Sequence, residues 1–240
     1  MATNTLIEYI NNRIQSDSKL RQDLTTTAGD ITTLIPQTAE EMFLPGKLGL
    51  YPADTCAPFV TRQGTPFYEF DNMAMMPKGG KTMKYLDFEF RQLEILFHLP
   101  RVNSQEGQNW LRNNLFQGCR VDARKKTEYK AKFREHLRPD WEEIQTDWMK
   151  YCLNFKYKNW DEFRKLLHST DLTPVEDATN TNYPSRLYWG AELVEIEGKK
   201  YYFGCNIVGK LLVQLRATQG NLPYTLPADL HIFGQPVLPI

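Results

Sequence analysis

Residues 137–157 have the sequence LRPDWEEIQTDWMKYCLNFKY, and this stretch indicates the fold class most clearly. Asp140 stands where a helix N-cap is favoured, and apolar side chains follow at helical spacing: Trp141, Ile144, Trp148, Cys152 and Leu153. Asp161 precedes a second stripe of this kind, formed by Phe163, Leu166 and Leu167. The sequence therefore predicts two successive amphipathic helices in the second half of the chain.

Short strands are predicted on both sides of these helices. Gly and Pro recur between residues 43 and 81 (LPGKLGLYP, RQGTPF, MMPKGGK), which favours strands joined by turns. Residues 192–204, ELVEIEGKKYYFG, have a hairpin pattern with its turn at Gly198, and Asn206 is expected to cap a helix that Gly220 ends. We therefore expect an α+β fold, a predominantly helical single domain with a few short strands.

The ends of the chain differ in composition from its middle. Residues 1–40 contain one predicted amphipathic helix, with Leu6, Ile7, Ile10 and Ile14 on its apolar face, followed by a stretch with Thr, Gly and Pro that suits an arm. Residues 221–240 are interrupted by Pro and are expected to pack as an extended tail. The predicted organisation is an arm over 1–40, a main domain over 41–220 and a tail over 221–240.

A further helix is predicted over residues 83–98. Met83, Leu86, Phe90, Leu93 and Phe97 recur at intervals of three and four, and Pro100 follows. The polar face of this predicted helix carries Asp87, Arg91 and Glu94. The simplest interpretation of these three residues is a set of exposed ion pairs, each worth a few tenths of a kcal/mol.

The charges of the chain are balanced. It contains 240 residues, with 29 Lys and Arg against 29 Asp and Glu, so its formal net charge is zero. A protein that binds along a nucleic-acid backbone usually has a strong basic excess, which makes that class improbable. The one clear local excess lies at residues 120–138, with eight Lys and Arg against three Asp and Glu. That segment is interpreted first as a solvated helix face and second as a ligand-binding patch.

The sequence lacks the motifs of metal-binding sites, C-x-x-C redox sites and P-loops. The four histidines lie far apart, the four cysteines form no C-x-x-C pair, and Gly79-Gly80-Lys81-Thr82 lacks the first glycine of a P-loop. No cofactor and no metal are therefore expected, and the cysteines are expected to be reduced. No secretion signal or membrane span is predicted, so a cytoplasmic location is expected.

Three clusters remain, at residues 137–141 (LRPDW), 188–190 (YWG) and 204–210 (GCNIVGK). Taken singly, the tryptophans are more often core residues, and a G-C-N segment is more often a turn between a strand and a helix. Their order and spacing, with RKLLHST and VEDAT between them, resemble the NADAR family of small N-glycosidases associated with NAD and ADP-ribose metabolism. The segment FYEFDN at residues 67–72 resembles the family's Y-E-F-S-N-F, so the likeness covers about residues 43–216.

The resemblance implies a catalytic Glu on a helix with the family pattern E-H-x-F-Q-x-x-K. Two placements fit this chain. Glu94 is followed by Phe97, by the polar His98 and by the basic Arg101, whereas Asp87 lies at the family's distance from a Gly-Lys turn. Glu94 is preferred and Asp87 is the alternative. Trp141 is then expected near the carboxylate, where it could stack on the base or the ribose.

The substrate's phosphates are expected to meet local cations and a helix N-terminus. The candidate substrate-binding residues are Arg101, Arg124, Lys125, Trp189, Gly190, Asn206, Gly209 and Lys210. One position departs from the family, since many members have an Asp three residues before the W-G tryptophan, where this chain has Arg186.

The resemblance implies an N-glycosidase that hydrolyses a C–N ribosyl bond in an ADP-ribosylated base such as guanine, free or within nucleic acid, or in a phosphorylated ribosyl-aminopyrimidine. A catalytically silent module that binds ADP-ribose or a related nucleotide, or an interaction scaffold, is the alternative. No membrane partner is expected, and the N-terminal helix is a candidate contact for a partner protein or a second copy.

Overall fold

A computed structural model describes residues 3–77, 81–115, 123–183 and 185–240. The helices are α1 (Thr3–Ser16), α2 (Ser18–Ala28), α3 (Leu93–His98), α4 (Gln105–Trp110), α5 (Ala123–Lys132), α6 (Trp141–Asn159), α7 (Asp161–His168), α8 (Arg186–Trp189) and α9 (Ile207–Ala217). The strands are β1 (Gly49–Pro52), β2 (Cys56–Phe59), β3 (Met83–Tyr85), β4 (Phe88–Phe90), β5 (Thr173–Glu176), β6 (Glu192–Ile196), β7 (Lys199–Gly204), β8 (His231–Ile232) and β9 (Gln235–Pro236). This mixture of helices with short strands confirms the predicted α+β class.

The chain forms two compact units. Unit 1 contains Met1–Asp71 and Ser169–Ala217, and unit 2 contains Asn72–His168 and Thr218–Ile240. The residues predicted as an N-terminal arm lie in unit 1, and those predicted as a tail lie in unit 2. The predicted domain boundaries, after residue 40 and after residue 220, stay predictions.

Unit 1 is built on a three-stranded antiparallel sheet in the order β1, β7, β6. The predicted hairpin at Gly198 is confirmed, because β6 and β7 pair with Val194 opposite Tyr201. Its turn residues Glu197 and Gly198 both have positive φ, at 51° and 73°, as a two-residue hairpin turn requires. A second pair in this unit, β2 with β5, is parallel and aligns Ala57 with Pro174.

The N-terminal segment of unit 1 is more helical than predicted. Ile10 and Ile14 are buried, as expected for the apolar face of α1. A second helix, α2, follows at once, because the Asp17 side chain accepts a hydrogen bond from the Leu20 amide and caps it. Gly29 ends α2 with a φ of 74°, and short 3₁₀ turns follow over Ile31–Leu34 and Glu41–Phe43.

Unit 2 is built around α6, which begins at Trp141 as predicted. The predicted second helix is α7, with Asp161 as its first residue. α6 packs against α3, and its Trp148 indole donates a hydrogen bond to the Leu96 carbonyl oxygen at 3.2 Å. The C-terminal segment joins this unit through Asn154, whose side chain donates to the Leu222 carbonyl and accepts from the Leu222 amide, each at 2.9 Å.

The predicted helix over residues 83–98 is wrong in its first half. Residues 83–90 form the antiparallel hairpin β3–β4, and only Leu93–His98 form an α-helix. The side chains of Met83, Tyr85, Phe88 and Phe90 are buried while Lys84 and Glu89 are exposed, which is the alternation of a strand. Leu86, with a φ of 55°, makes the turn without a glycine to signal it.

Within the described ranges, none of the helices is long and apolar enough to cross a membrane.

Candidate functional site

The predicted catalytic helix is α3, which continues into a 3₁₀ turn over Leu99–Arg101. Glu94, Phe97, His98 and Arg101 are spaced at i, i+3, i+4 and i+7, so one face of this helical segment carries all four. Asn72 fixes the start of the segment, since its carbonyl oxygen accepts a hydrogen bond from the Glu94 amide at 3.0 Å. The Asn72 side chain is held in turn by a contact of 3.3 Å from its Nδ2 to the Met149 sulfur on α6.

The Glu94 carboxylate is largely withdrawn from solvent. Its side chain is 15 % exposed, and Oε1 lies 2.9 Å from Nε2 of His98, one helical turn further on. Cys152 lies near it on α6, where burial and, second, the Glu94 charge raise the pKa of the thiol well above its ordinary value. A carboxylate in these surroundings is partly desolvated and geometrically fixed, as proton transfer or charge stabilisation requires.

His98 connects Glu94 to α5. The imidazole is 4 % exposed, and its Nδ1 lies 3.4 Å from the hydroxyl of Tyr129, which is buried. The rings of Phe97 and Tyr129 meet the imidazole edge to face, with centroids at 6.0 Å and 6.1 Å. Glu94, His98 and Tyr129 thus form a continuous polar chain inside unit 2.

Arg101 and Trp141 both pack against Phe97. The guanidinium of Arg101 lies 4.7 Å from the centroid of the Trp141 ring and 5.1 Å from that of Phe97. Trp141 also meets Phe97 edge to face at 5.3 Å and is 8 % exposed. Because Arg101 covers a face of the indole, Trp141 is not an open platform for a base as the structure stands.

Arg101 keeps an unused donor in this cluster. Its Nε is buried and has no hydrogen-bond partner in the described part of the chain. Such a group costs free energy unless a ligand or water satisfies it.

Asp87, the alternative carboxylate, lies in different surroundings. It sits in the turn of the β3–β4 hairpin, its side chain is 76 % exposed, and it lies 3.5 Å from the guanidinium of Arg112. A carboxylate so open to water keeps its hydration, and its ion pair contributes little. The two placements that the sequence left open therefore have distinct environments in the structure.

Arg124 and Lys125 fall within the helical range of α5, but their side chains lie outside the described residues. The other five predicted substrate-binding residues, Trp189, Gly190, Asn206, Gly209 and Lys210, belong to unit 1.

Gly190, Asn206 and Gly209 pack closely against β5. A Cβ added at Gly209 would collide with the Pro174 carbonyl oxygen on β5, and one at Gly190 would collide with the carbonyl oxygen of Glu176. The Asn206 side chain donates to Pro174 at 3.0 Å and accepts from the Glu176 amide at 3.3 Å. These contacts give a structural reason for the small and amide side chains of this motif.

Lys210 and Trp189 are also buried in unit 1. The Lys210 ammonium donates hydrogen bonds to the carbonyl oxygens of Leu44 and Lys47, both at 2.6 Å. Trp189 is 7 % exposed and packs edge to face on Tyr188 at 5.2 Å. Substrate binding by either residue would require these contacts to change, and their assignment to substrate stays a prediction.

Unit 1 also contains a polar cleft of about 120 Å³ that includes none of the predicted site residues. Its walls carry Arg13, Lys19 and Arg186 together with Asp17 and Asp23. Glu192 joins two of these cations, since its carboxylate lies 2.7 Å from Arg13 and 2.8 Å from Arg186. Arg186, the residue that departs from the family pattern, is therefore part of an internal ion-pair cluster.

His98 and Tyr129 are the residues of the candidate site that sequence reasoning missed. The position of His98 four residues after Glu94 is a signal that could have indicated the pair, whereas Tyr129 is distant in sequence. Among the described residues, no group of three or more His, Cys, Asp or Glu side chains is placed to hold a metal ion.

No family model and no curated protein matches the chain. Among solved structures it is similar to the NMR structure of the E. coli protein YbiA, with 20 % sequence identity and a TM-score of 0.45. The alignment covers 68 % of this chain and 86 % of YbiA.

Proposed function

We propose that this chain is an N-glycosidase that hydrolyses the C–N bond between ribose and a base, in an ADP-ribosylated base such as guanine or in a phosphorylated ribosyl-aminopyrimidine. The proposal combines the motif resemblance described above with one structural observation. Glu94 is a largely buried carboxylate, held by His98, on the same helical face as Phe97 and Arg101.

The chemistry of the reaction requires such a group. As the bond between C1′ of the ribose and the base nitrogen breaks, positive charge develops on C1′ and the ring oxygen. A nearby carboxylate stabilises that charge and accepts a proton from the attacking water. The water oxygen becomes the new hydroxyl on C1′. The proton that the carboxylate took from this water passes to the leaving nitrogen of the base, which regenerates the carboxylate.

Arg101 supplies positive charge beside this carboxylate. A guanidinium can bind a phosphate through two parallel hydrogen bonds, and its buried Nε is already without a partner among the described residues. Movement of Arg101 onto a phosphate would also uncover the ring of Trp141 for stacking. A chain with zero net charge can bind one anionic nucleotide in this way.

The experiment is to incubate the wild-type protein with ADP-ribosylated guanosine and to follow free ADP-ribose by chromatography. Parallel reactions contain a phosphorylated ribosyl-aminopyrimidine, with release of ribose phosphate as the readout. Turnover of either substrate supports the proposal and identifies the substrate class. Absence of turnover with both substrates, at protein concentrations above any measured Kd, contradicts it.

A silent nucleotide-binding module is the second candidate, and Arg186 favours it. At the position where many members of the resembling family have a carboxylate, this chain has a cation paired with Glu192 at 2.8 Å. If the family's carboxylate orients water or a ribose hydroxyl, a chain with Arg186 in its place is expected to bind the nucleotide without cleaving it. Calorimetric titration with ADP-ribose distinguishes the cases. Binding without turnover supports the nucleotide-binding module, whereas the absence of both binding and turnover supports an interaction scaffold.

A further inference from the structure

We propose that His98 is a positioning residue for Glu94, with the hydroxyl of Tyr129 fixing the ring of His98 from the opposite side. The inference rests on the proposed function, because it assigns a role to the neighbours of the Glu94 carboxylate. It gives roles to His98, which the motif resemblance matches only as a polar position, and to Tyr129, which the motif resemblance does not include.

The first step concerns the proton on Nε2. An ionised carboxylate has no proton to donate, so a hydrogen bond of 2.9 Å between Glu94 Oε1 and His98 Nε2 requires a hydrogen on Nε2. In a neutral imidazole the other nitrogen, Nδ1, is then an acceptor. His98 therefore carries a hydrogen on Nε2 and donates it to Glu94.

The second step concerns the partner of Nδ1. The Tyr129 hydroxyl lies 3.4 Å away and can donate to that lone pair. Tyr129 and His98 are both buried, and a buried acceptor without a donor would be costly. The Tyr129 hydroxyl thus favours the same Nε2–H form that the Glu94 carboxylate selects.

The third step concerns the geometry of the ring. Phe97 and Tyr129 meet the imidazole edge to face, at 68° and 74° between the ring planes, which opposes rotation of the ring. A Glu side chain has several rotatable bonds, and ordering it costs conformational entropy. The hydrogen bond from His98 orders the Glu94 side chain before substrate binds, so that its carboxylate is already oriented for the reaction.

The first test is spectroscopic and needs no substrate. In protein labelled with ¹⁵N at histidine, the imidazole signals of His98 are assigned by comparison with His98→Gln, because His136, His168 and His231 remain in that variant. We expect one protonated nitrogen, Nε2, and one unprotonated nitrogen, Nδ1, at pH 7.5. A ring whose single proton is on Nδ1 overturns the proposal, because Nε2 then has no hydrogen for Glu94. A doubly protonated ring keeps the donation to Glu94 and overturns the role of Tyr129 as a donor.

Tyr129→Phe isolates the second contact. The variant keeps the aromatic ring beside His98 and removes only the hydroxyl. We expect the Nδ1 signal of His98 to move, because that nitrogen loses its donor. An unchanged Nδ1 signal in folded Tyr129→Phe overturns the role of Tyr129.

The second test uses turnover on whichever substrate the wild-type protein cleaves. His98→Leu removes the donor to Glu94 and is expected to lower kcat by about 10- to 100-fold with little change in KM, since a small misplacement of a catalytic group has effects of this size. His98→Gln keeps an N–H donor and is expected to recover much of the lost rate. Equal kcat in the wild type and both folded variants overturns the positioning role.

The two tests separate this inference from the proposed function. If the wild-type protein has no turnover but His98 shows the expected proton on Nε2, the proposed function fails and the hydrogen-bonded chain stands. If turnover is present and both His98 variants retain the full kcat, the function stands and the positioning role fails. Circular dichroism of each variant confirms that loss of rate is not loss of fold.

Discussion

Lys210, one of the predicted substrate-binding residues, is buried in the structure. Its ammonium is 4 % exposed and donates to two backbone carbonyl oxygens of unit 1. Burial lowers the pKa of Lys210 from its ordinary 10.5 to about 8, and the nearby Cys205 only partly opposes this shift. The family pattern predicts a lysine here, but the surrounding backbone determines what its charge contacts.

This lowered pKa predicts a pH dependence of stability. Between pH 8 and 10.5 the unfolded chain holds the Lys210 proton more tightly than the folded chain, so the contribution of Lys210 to the free energy of unfolding rises with pH. Below pH 8 both states are protonated and the contribution is constant. The rise from pH 8 to 9 is expected to be about 1 kcal/mol, since one pKa unit corresponds to about 1.4 kcal/mol.

Urea unfolding at pH 8 and pH 9 measures the effect. Lys210→Met is expected to lose this rise, whereas Lys200→Met, at an exposed strand position, keeps it. The buried thiols act in the opposite direction over the same range, because burial raises the pKa of Cys56 to about 11 and that of Cys205 to about 12 in the folded chain, while the unfolded thiols ionise from about pH 8.5. This effect is common to the wild type and both lysine variants, so the difference in pH dependence between the wild type and Lys210→Met isolates the contribution of Lys210. A Lys210→Met protein with the full rise would contradict the assignment.

At the scale of elements, α9 is positioned by contacts that only a small residue permits. Gly209 faces the Pro174 carbonyl oxygen on β5, and Asn206 bonds to both Pro174 and Glu176. The motif that resembles a phosphate-binding helix start is thus also the packing contact between α9 and β5. Asn206 itself has a φ of 48°, a conformation that Asn adopts more readily than most residues.

Gly209→Ala is therefore expected to destabilise unit 1 by about 1 to 3 kcal/mol, the range for overpacking in a well-packed interior. The backbone oxygen of Pro174 is held within the β2–β5 pair and cannot move away cheaply. Chemical unfolding compares this variant with Val213→Ala, a half-buried position on the same helix, which is expected to cost less. Equal stability of Gly209→Ala and the wild type would show that the helix can shift without cost.

The elements differ in how well the sequence alone predicts them. The β6–β7 hairpin is predictable because Gly198 marks its turn between two alternating runs. The β3–β4 hairpin is not, since the spacing of Met83, Leu86 and Phe90 also fits a helix and the turn residue is Leu86. The parallel pairing of β2 with β5 joins segments more than a hundred residues apart, and nothing local in either strand encodes it.

The sequence alone likewise predicts some parts of the candidate site and not others. The position of Glu94 on a helix follows from its apolar neighbours and the motif resemblance. Its contact with His98 follows from a spacing of four residues once the helix is known. The contact between His98 and Tyr129 depends on how α3 and α5 pack, and that information lies in the tertiary structure.

For the molecule as a whole, three buried cysteines allow the unfolding of the two units to be followed separately. Cys56 and Cys205 lie in unit 1 and Cys152 lies in unit 2, and all three are buried free thiols. Burial raises the pKa of each thiol, so little thiolate, the reactive form, is present near neutral pH.

Alkylation by iodoacetamide should therefore require unfolding. In a Cys119→Ser protein, which removes the cysteine outside the described residues, we expect native labelling of all three thiols at pH 7.5 to be at least about 100-fold slower than in urea. Peptide mass spectrometry at increasing urea concentrations then gives the stability of each unit. Labelling of any of the three at the unfolded rate in native buffer would contradict its burial.

Glu94 is the catalytic carboxylate in the proposed N-glycosidase reaction. The matched pair Glu94→Gln and Asp87→Asn tests it most directly, because each variant removes one negative charge and changes little else in size. With the substrate that the wild type cleaves, kcat/KM is expected to fall by about 10²- to 10⁴-fold in Glu94→Gln, as for loss of a group that transfers protons in the reaction. Asp87→Asn, in an exposed hairpin turn, is expected to remain within about threefold of the wild type. Loss of activity in Asp87→Asn with full activity in Glu94→Gln would contradict the account and move the catalytic carboxylate to the hairpin.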